Sequence, residues 1–322
     1  MKTYLASLLL IGSTFVHAAE VDQFTRRNEP LDDSSIQINR KANDQIQLAI
    51  QKLNANGICN DADLYKELRK YFANHSKGEL TKYILHSDEI KLRTMKIQDS
   101  IFKNWKMTDG YLLGKPSANN SALALSPLVR MGNIVIGVDK FEHMFGRGFS
   151  YFKQHYLEGK SLDKAIKSGV FGEKTLYGGN KLATGVFSYA DLAANFNGMR
   201  FWNHILQKSP DVLGDNQGPY IKCVDQKWEQ VKDLDFTHYI DSSMDEAINC
   251  SKFPTKKTAE KYREEVKKTI EREGLSTTSI GCPLENLQQE GLTDKYKMIS
   301  KWIINQKSDR TINYFNELKA DD

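Results

Sequence analysis

In the segment DKFEHMFG, Asp139, Glu142, His143 and Gly146 stand at i, i+3, i+4 and i+7, the spacing that gathers side chains on one face of an α-helix. Two carboxyls and an imidazole on such a face support two kinds of chemistry. A carboxylic acid beside an apolar groove has its pKa raised by desolvation, and a protonated Glu is what a departing glycosidic oxygen needs, so Glu142 is the candidate general acid. Alternatively Asp139 and His143, one turn apart, converge on a metal ion. No third ligand is evident there, because His155 lies three turns further on and His143 lacks an H-E-x-x-H partner. Neither a metal nor a cofactor is therefore expected. A plainer possibility stays open, in which Asp139 caps the helix and Glu142 is its reciprocal partner. Glu173 stands where a second carboxyl can face the same cleft, or is a solvated acid at a segment end. Thr184, Ser188 and Tyr189 offer hydroxyls that bind sugar or position water, or else serve as cap and core.

The elements that must hold these residues are mostly helical. From 36 to 104 the pattern has a helical period, with Leu64, Leu68 and Phe72 at spacings of four. Residues 107–126, with Gly110, Gly114, Pro116 and Asn119-Asn120, read as a long loop. The apolar run GNIVIGV then leads into a helix on which Phe141, Phe145, Phe149 and Phe152 form a buried stripe opposite the polar face. A short helix over 161–168 precedes a β-hairpin turned at Gly178-Gly179-Asn180. Ser188 and Asp191 make a Ser-x-x-Asp helix start, with Leu192, Phe196 and Met199 on the inner face. The segment DSSMDEAINC is a short helix entered at Ser243. Residues 255–273 and 284–307 read as charged amphipathic helices, and the acidic tail as frayed. The expected class is mainly α, a helical domain with a small β-hairpin beside the active-site cleft, extended by N- and C-terminal helices.

Lys2, the apolar run from Leu5 to Ile11 and the small-residue pattern Val16-His17-Ala18-Ala19 form a secretory signal peptide over 1–18, cleaved after 18 or 19. Its apolar core is shorter than the about 20 residues of a membrane span, so no membrane anchor is expected. The protein is expected outside the cytoplasm, secreted or periplasmic. No linker divides the rest, which reads as one compact unit: a scaffold over 20–105, a catalytic core over 106–252 and a C-terminal extension over 253–322. The formal charge of +4 falls to about +3 with the loss of Lys2. That balance suits an anionic wall, and no basic stripe with interleaved aromatics points to nucleic acid. A monomer is expected. Four cysteines follow the leader, Cys59, Cys223, Cys250 and Cys282, and an oxidising compartment makes two disulfides the expectation. Three connectivities are open. The favoured pair is Cys250 with Cys282, which ties the C-terminal helices to the body.

A helix bearing Glu142 on a glycine-cleared face, followed by Thr184-Gly185-Val186-Phe187-Ser188, resembles the lysozyme and lytic transglycosylase superfamily. Over residues 100–282 the stretches DKFEHMFGRGFSYF, TGVFSYADLAANFNGMRFW and DSSMDEAINC together resemble the deacetylation-specific lysozymes of predatory bacteria, the DslA type. The resemblance implies a lysozyme-like core and a muramidase that hydrolyses peptidoglycan glycan strands whose amino sugars have lost their acetyl groups, with Glu142 as the acid. Ala183 stands where chicken-type lysozymes carry a second carboxylate. That role then falls to Glu173, or water is activated through Thr184, Ser188 or Tyr189. A groove for a cationic sugar calls for local acids, for which Asp139, Glu173, Asp191, Asp245 and Glu246 are the candidates. The competing functions are a non-catalytic wall-binding protein and a metal-dependent hydrolase using Asp139 and His143.

Overall fold

The computed structural model describes residues 19–57, 59–74, 76–119, 121, 124–174, 184–275, 282, 284 and 286–306. The architecture is mainly helical. Helix α1 (Ser35–Ala55) buries Ile38, Ala42, Ile46, Ala49, Ile50 and Leu53, a stripe at helical spacing. Helix α2 (Asp61–Leu68) starts at Asn60, whose side chain accepts the N–H groups of Ala62 and Asp63. With α3 (Glu79–His86) these make up the scaffold, and the helical pattern expected over 36–104 ends at His86, since Leu92–Arg93 is a strand and Ile97–Asp99 a 3-10 turn.

Residues 107–126 are not all loop, since they include a one-turn helix, α4 (Tyr111–Gly114), and a 3-10 turn at Pro116–Ala118. A three-stranded antiparallel sheet combines β1 (Leu92–Arg93), β2 (Leu128–Met131) and β3 (Ile134–Gly137). Val129 pairs with Ile136 and Met131 with Ile134, leaving Gly132-Asn133 as a two-residue turn in which Gly132 has φ +62°. The run GNIVIGV is therefore the second arm of a hairpin that precedes the Glu142 helix. The hairpin expected after that helix, turned at Gly178-Gly179-Asn180, lies outside the described residues. What is described of it, Thr184 to Ser188, exchanges backbone hydrogen bonds through Phe187 with Lys252.

Val138 precedes α5 (Asp139–Phe145), and all seven residues of that helix are buried. Helix α6 (Arg147–Phe152) continues it past Gly146, and a π-helical turn, Lys153–Leu157, follows. The phenylalanine stripe packs as expected, Phe145 lying 5.4 Å from Phe72 and 5.7 Å from Phe236 between ring centroids. Helix α7 (Leu162–Gly172) starts at the cap Ser161.

Helix α8 (Tyr189–Leu206) is the hub. Ser188 caps it as expected, accepting the N–H of Asp191 at 3.1 Å. An inner face of Leu192, Phe196 and Met199 understates its burial, because all eighteen residues are buried. A helix surrounded on every side needs partners for its polar groups. Asn197 donates to the Tyr296 hydroxyl, Arg200 to Asp211, and Asn203 to the Ser209 carbonyl. The α5–α6 junction reaches this hub through glycine. A Cβ at Gly198 would lie 2.2 Å from the Met144 carbonyl oxygen, and one at Gly148 would lie 2.6 Å from the Gly198 Cα. The residue that admits this close approach is Gly148, whereas a Cβ at Gly146 would meet only its own helix.

A second hairpin, β4 (Ile221–Val224) with β5 (Lys227–Gln230), covers α1, and the Cys59–Cys223 disulfide joins it to the start of α2. The segment DSSMDEAINC forms a 3-10 turn, Ser242–Met244, capped by Asp241 rather than a helix entered at Ser243. Helix α9 (Lys256–Glu273) begins at Thr255 and closes at Gly274, φ +62°. It covers a second core of Phe24, Phe102, Trp105, Phe253 and Tyr262, into which the favoured Cys250–Cys282 disulfide is buried. The expected continuous helix over 284–307 is interrupted: α10 (Asn286–Tyr296) gives way to a 3-10 turn at Lys297, φ +47°, and then to α11 (Ser300–Ile303). The acidic tail lies outside the described residues.

Candidate functional site

The starts of two helices lie side by side. Asp139 and Lys140 open α5, Asp191 sits in the first turn of α8, and the positive ends of both helices favour carboxylates there. Asp139 does not cap α5. It is the first helical residue, and its Oδ2 accepts from the Lys140 ammonium at 2.8 Å. The same Nζ donates to Asp191 Oδ1 at 2.6 Å and to Glu246 Oε1 at 2.9 Å. An ammonium with no solvent exposure is thus held by three carboxylates. Burial works against its charge, but the three acids outweigh burial and hold it well above the ordinary lysine range. Gly137 makes room for the first of them, since a Cβ there would lie 2.1 Å from Asp139 Oδ1.

His143 extends the cluster. Its Nδ1 is 3.1 Å from Asn195 Oδ1, which leaves Nε2 facing Asp191 Oδ2 at 3.2 Å, an ion pair without hydrogen-bond alignment. Burial disfavours the imidazolium, yet Asp191, then Glu173 and Asp139, push its pKa up to about 9. Asp191 is conversely held well below the carboxylate range, burial being outweighed by His143 and Lys140.

Glu173, the residue that follows α7, is buried in the same field. Desolvation, then the charge of Asp191, push its carboxyl up to about 8, against the opposing pull of His143, Arg147 and Lys140. Glu20 is raised well above the usual range by burial, Glu246 and Asp191. Glu142 lies beside His143 in sequence, 5% exposed on α5, and its carbonyl accepts the Gly146 N–H. The structure therefore brings Asp139, His143, Glu173 and Asp191 into one buried polar centre with Glu142 on the same short helix.

Several expected sugar-binding groups are committed internally. The Ser188 hydroxyl caps α8 and donates to Glu246 Oε1 at 2.9 Å, so its donor is not available to a substrate. Thr184 is fully buried; its carbonyl accepts from Trp105 Nε1 at 3.0 Å, and the Thr184-Gly185 turn crosses Asp109-Gly110 so closely that a Cβ on Gly185, φ +76°, would lie 1.8 Å from the Asp109 oxygen. Tyr189 is buried against Phe187, rings 5.1 Å apart. Of the candidate groove acids, Asp139, Asp191 and Glu246 are spent on Lys140, and Asp245 takes a two-pronged contact from Arg27 at 2.8 and 3.3 Å. Glu173 is the one of these acids left without a described cation contact of that kind.

Sequence reasoning missed Lys140, Asn195 and Glu20. Nothing local marked Lys140, because its partners Asp191 and Glu246 lie 51 and 106 residues away. The missing third partner for Asp139 and His143 is Asp191: one ligand atom from each of the three lies within 4.8 Å of the others. No family model, curated protein or solved structure matches the chain.

Proposed function

We propose that the chain is a secreted glycoside hydrolase that cleaves peptidoglycan glycan strands and prefers strands with N-deacetylated sugars. The observation that carries this is a pair of buried carboxyls, Glu142 on α5 and Glu173 after α7, the second in the polar centre that α5 helps to form. Hydrolysis of a glycosidic bond uses two such carboxyls, one that protonates the leaving oxygen and one that acts in its ionised form. Glu142 takes the acid role that the motif resemblance gives it, in a lysozyme-like core, and Glu173 is the second carboxyl. Two disulfides suit an oxidising compartment, and no helix among the described residues is long and apolar enough to cross a membrane.

The preference for cationic sugars rests on the motif resemblance, since Asp139, Asp191 and Glu246 are neutralised by Lys140 and Asp245 by Arg27. Digestion of purified sacculi tests the whole proposal. New reducing ends are expected, faster on deacetylated walls than on the same walls chemically re-acetylated. Co-sedimentation without release of fragments makes the protein a wall-binding module instead, and equal rates on both walls remove the specificity.

A further inference from the structure

We infer that Asp139, His143 and Asp191 form a binding site for one divalent transition-metal ion of the zinc or manganese class, at the junction of α5 and α8. All three are buried, at 4%, 3% and 3% exposure. Lys140 takes Oδ2 of Asp139 and Oδ1 of Asp191, which leaves one oxygen on each acid. Asp139 Oδ1 has no hydrogen-bond partner among the described residues, which costs free energy in a dry interior unless something else binds it, and His143 Nε2 has only the unaligned contact with Asp191. Asp191 Oδ2 stands 3.2 Å from His143 Nε2. For metal–ligand bonds of about 2.0–2.2 Å that separation subtends roughly 95–105°, between octahedral and tetrahedral angles.

The surroundings match what metal-bound imidazoles require. Asn195 engages Nδ1, which fixes the ring and turns Nε2 to the site, and Lys140 orients both carboxylates from their outer oxygens. One imidazole and two carboxylates suit zinc, manganese or ferrous iron better than magnesium or calcium. Charge points the same way. With His143 neutral as a ligand, Asp139, Asp191 and Glu246 face the single positive charge of Lys140, and a divalent ion that displaces the imidazole proton balances the remainder. Glu173, whose carboxyl feels the charges of Asp191 and His143, is a further buried acid of the same centre. The ion would pin the first turns of α5 and α8 together, and nothing in this assignment depends on the glycosidase proposal.

Calorimetric titration of the folded, chelator-stripped chain with Zn²⁺, and separately with Mn²⁺, tests it. A single equivalent is expected to bind, with a rise in thermal midpoint. Asp139→Asn and Asp191→Asn should abolish binding, Asn195→Ala should weaken it by about 10–100-fold, and His155→Gln should leave it unchanged. Should a variant fail to fold, X-ray absorption of the zinc-loaded wild-type chain decides, with one imidazole and otherwise oxygen ligands expected. No stoichiometric binding of either ion, binding that survives both aspartate substitutions, or a shell with several imidazoles overturns the site. Because binding is read without turnover, a chain that binds zinc but leaves sacculi intact sinks only the glycosidase proposal, and the converse sinks only this one.

Discussion

Glu142 and Glu173 differ in what their substitution should do. With Glu142 as general acid, Glu142→Gln keeps shape and hydrogen-bonding reach but has no proton to give, and turnover on sacculi should fall by about 10²–10⁴ with the fold intact by circular dichroism. Near-normal turnover would transfer the acid role to Glu173. As second carboxyl, Glu173 must ionise, and its pKa of about 8 means that turnover rises with pH towards that value. Glu173→Gln should flatten that rising limb in a pH–rate profile. Lys140 is the residue on which the rest of the centre rests. Lys140→Met leaves three buried carboxylates without their ammonium, and losing one partner of a buried ionic cluster costs about 3–5 kcal/mol, to be read from urea unfolding. A loss under about 1 kcal/mol would mean that protons replace the ammonium freely, since neutralised carboxyls carry little of that penalty.

The elements that hold the site were legible in proportion to how local their causes are. Caps and periodic stripes act within a turn or two, so α1, α2, α9, the phenylalanine stripe and the Ser188 start of α8 followed from spacing alone. The candidate site was half visible: Asp139, Glu142 and His143 announce themselves within five residues, whereas Lys140 and Asp191 acquire meaning only when α8 packs on α5. The burial of α8 on all sides was hidden for the same reason, since its asparagines and arginine look solvated until distant partners reach them. Gly198 tests that packing. Its missing Cβ would collide with the Met144 carbonyl, which is backbone and yields little, so Gly198→Ala should cost about 1–3 kcal/mol by overpacking, measured by urea titration. At the far end of α8, Asp211 holds Arg200 and lies near His204, and although burial opposes it, these partners lower its pKa to about 2. A depressed carboxyl stabilises the fold above its unfolded value near 3.8 and loses that contribution as pH falls through about 2. Between those values the wild type should lose stability that an Asp211→Asn variant, already weaker at neutral pH, no longer has to lose.

Across the whole molecule two disulfides close loops of different length over two different cores. Cys59–Cys223 spans 164 residues and ties the β4–β5 hairpin to the helical scaffold, while Cys250–Cys282 spans 32 and anchors the region after α9 to the core that α9 covers. A cross-link restricts the unfolded chain more when its loop is longer, and the chain-entropy relation gives about 5 kcal/mol for the first and about 4 kcal/mol for the second. Burial adds to the second, because Cys250 and Cys282 are at 0% and 4% exposure and new thiols there disturb packed neighbours. The two effects separate by experiment. Replacing Cys59 and Cys223 together by serine should lower the stability of the whole fold in urea without changing which parts of it unfold together. Replacing Cys250 and Cys282 by alanine should loosen α9 and the second core first, visible as early hydrogen exchange at Tyr262 and Val266 while α8 stays protected. Equal loosening of α8 and α9 would show instead that the two cores unfold as one cooperative body.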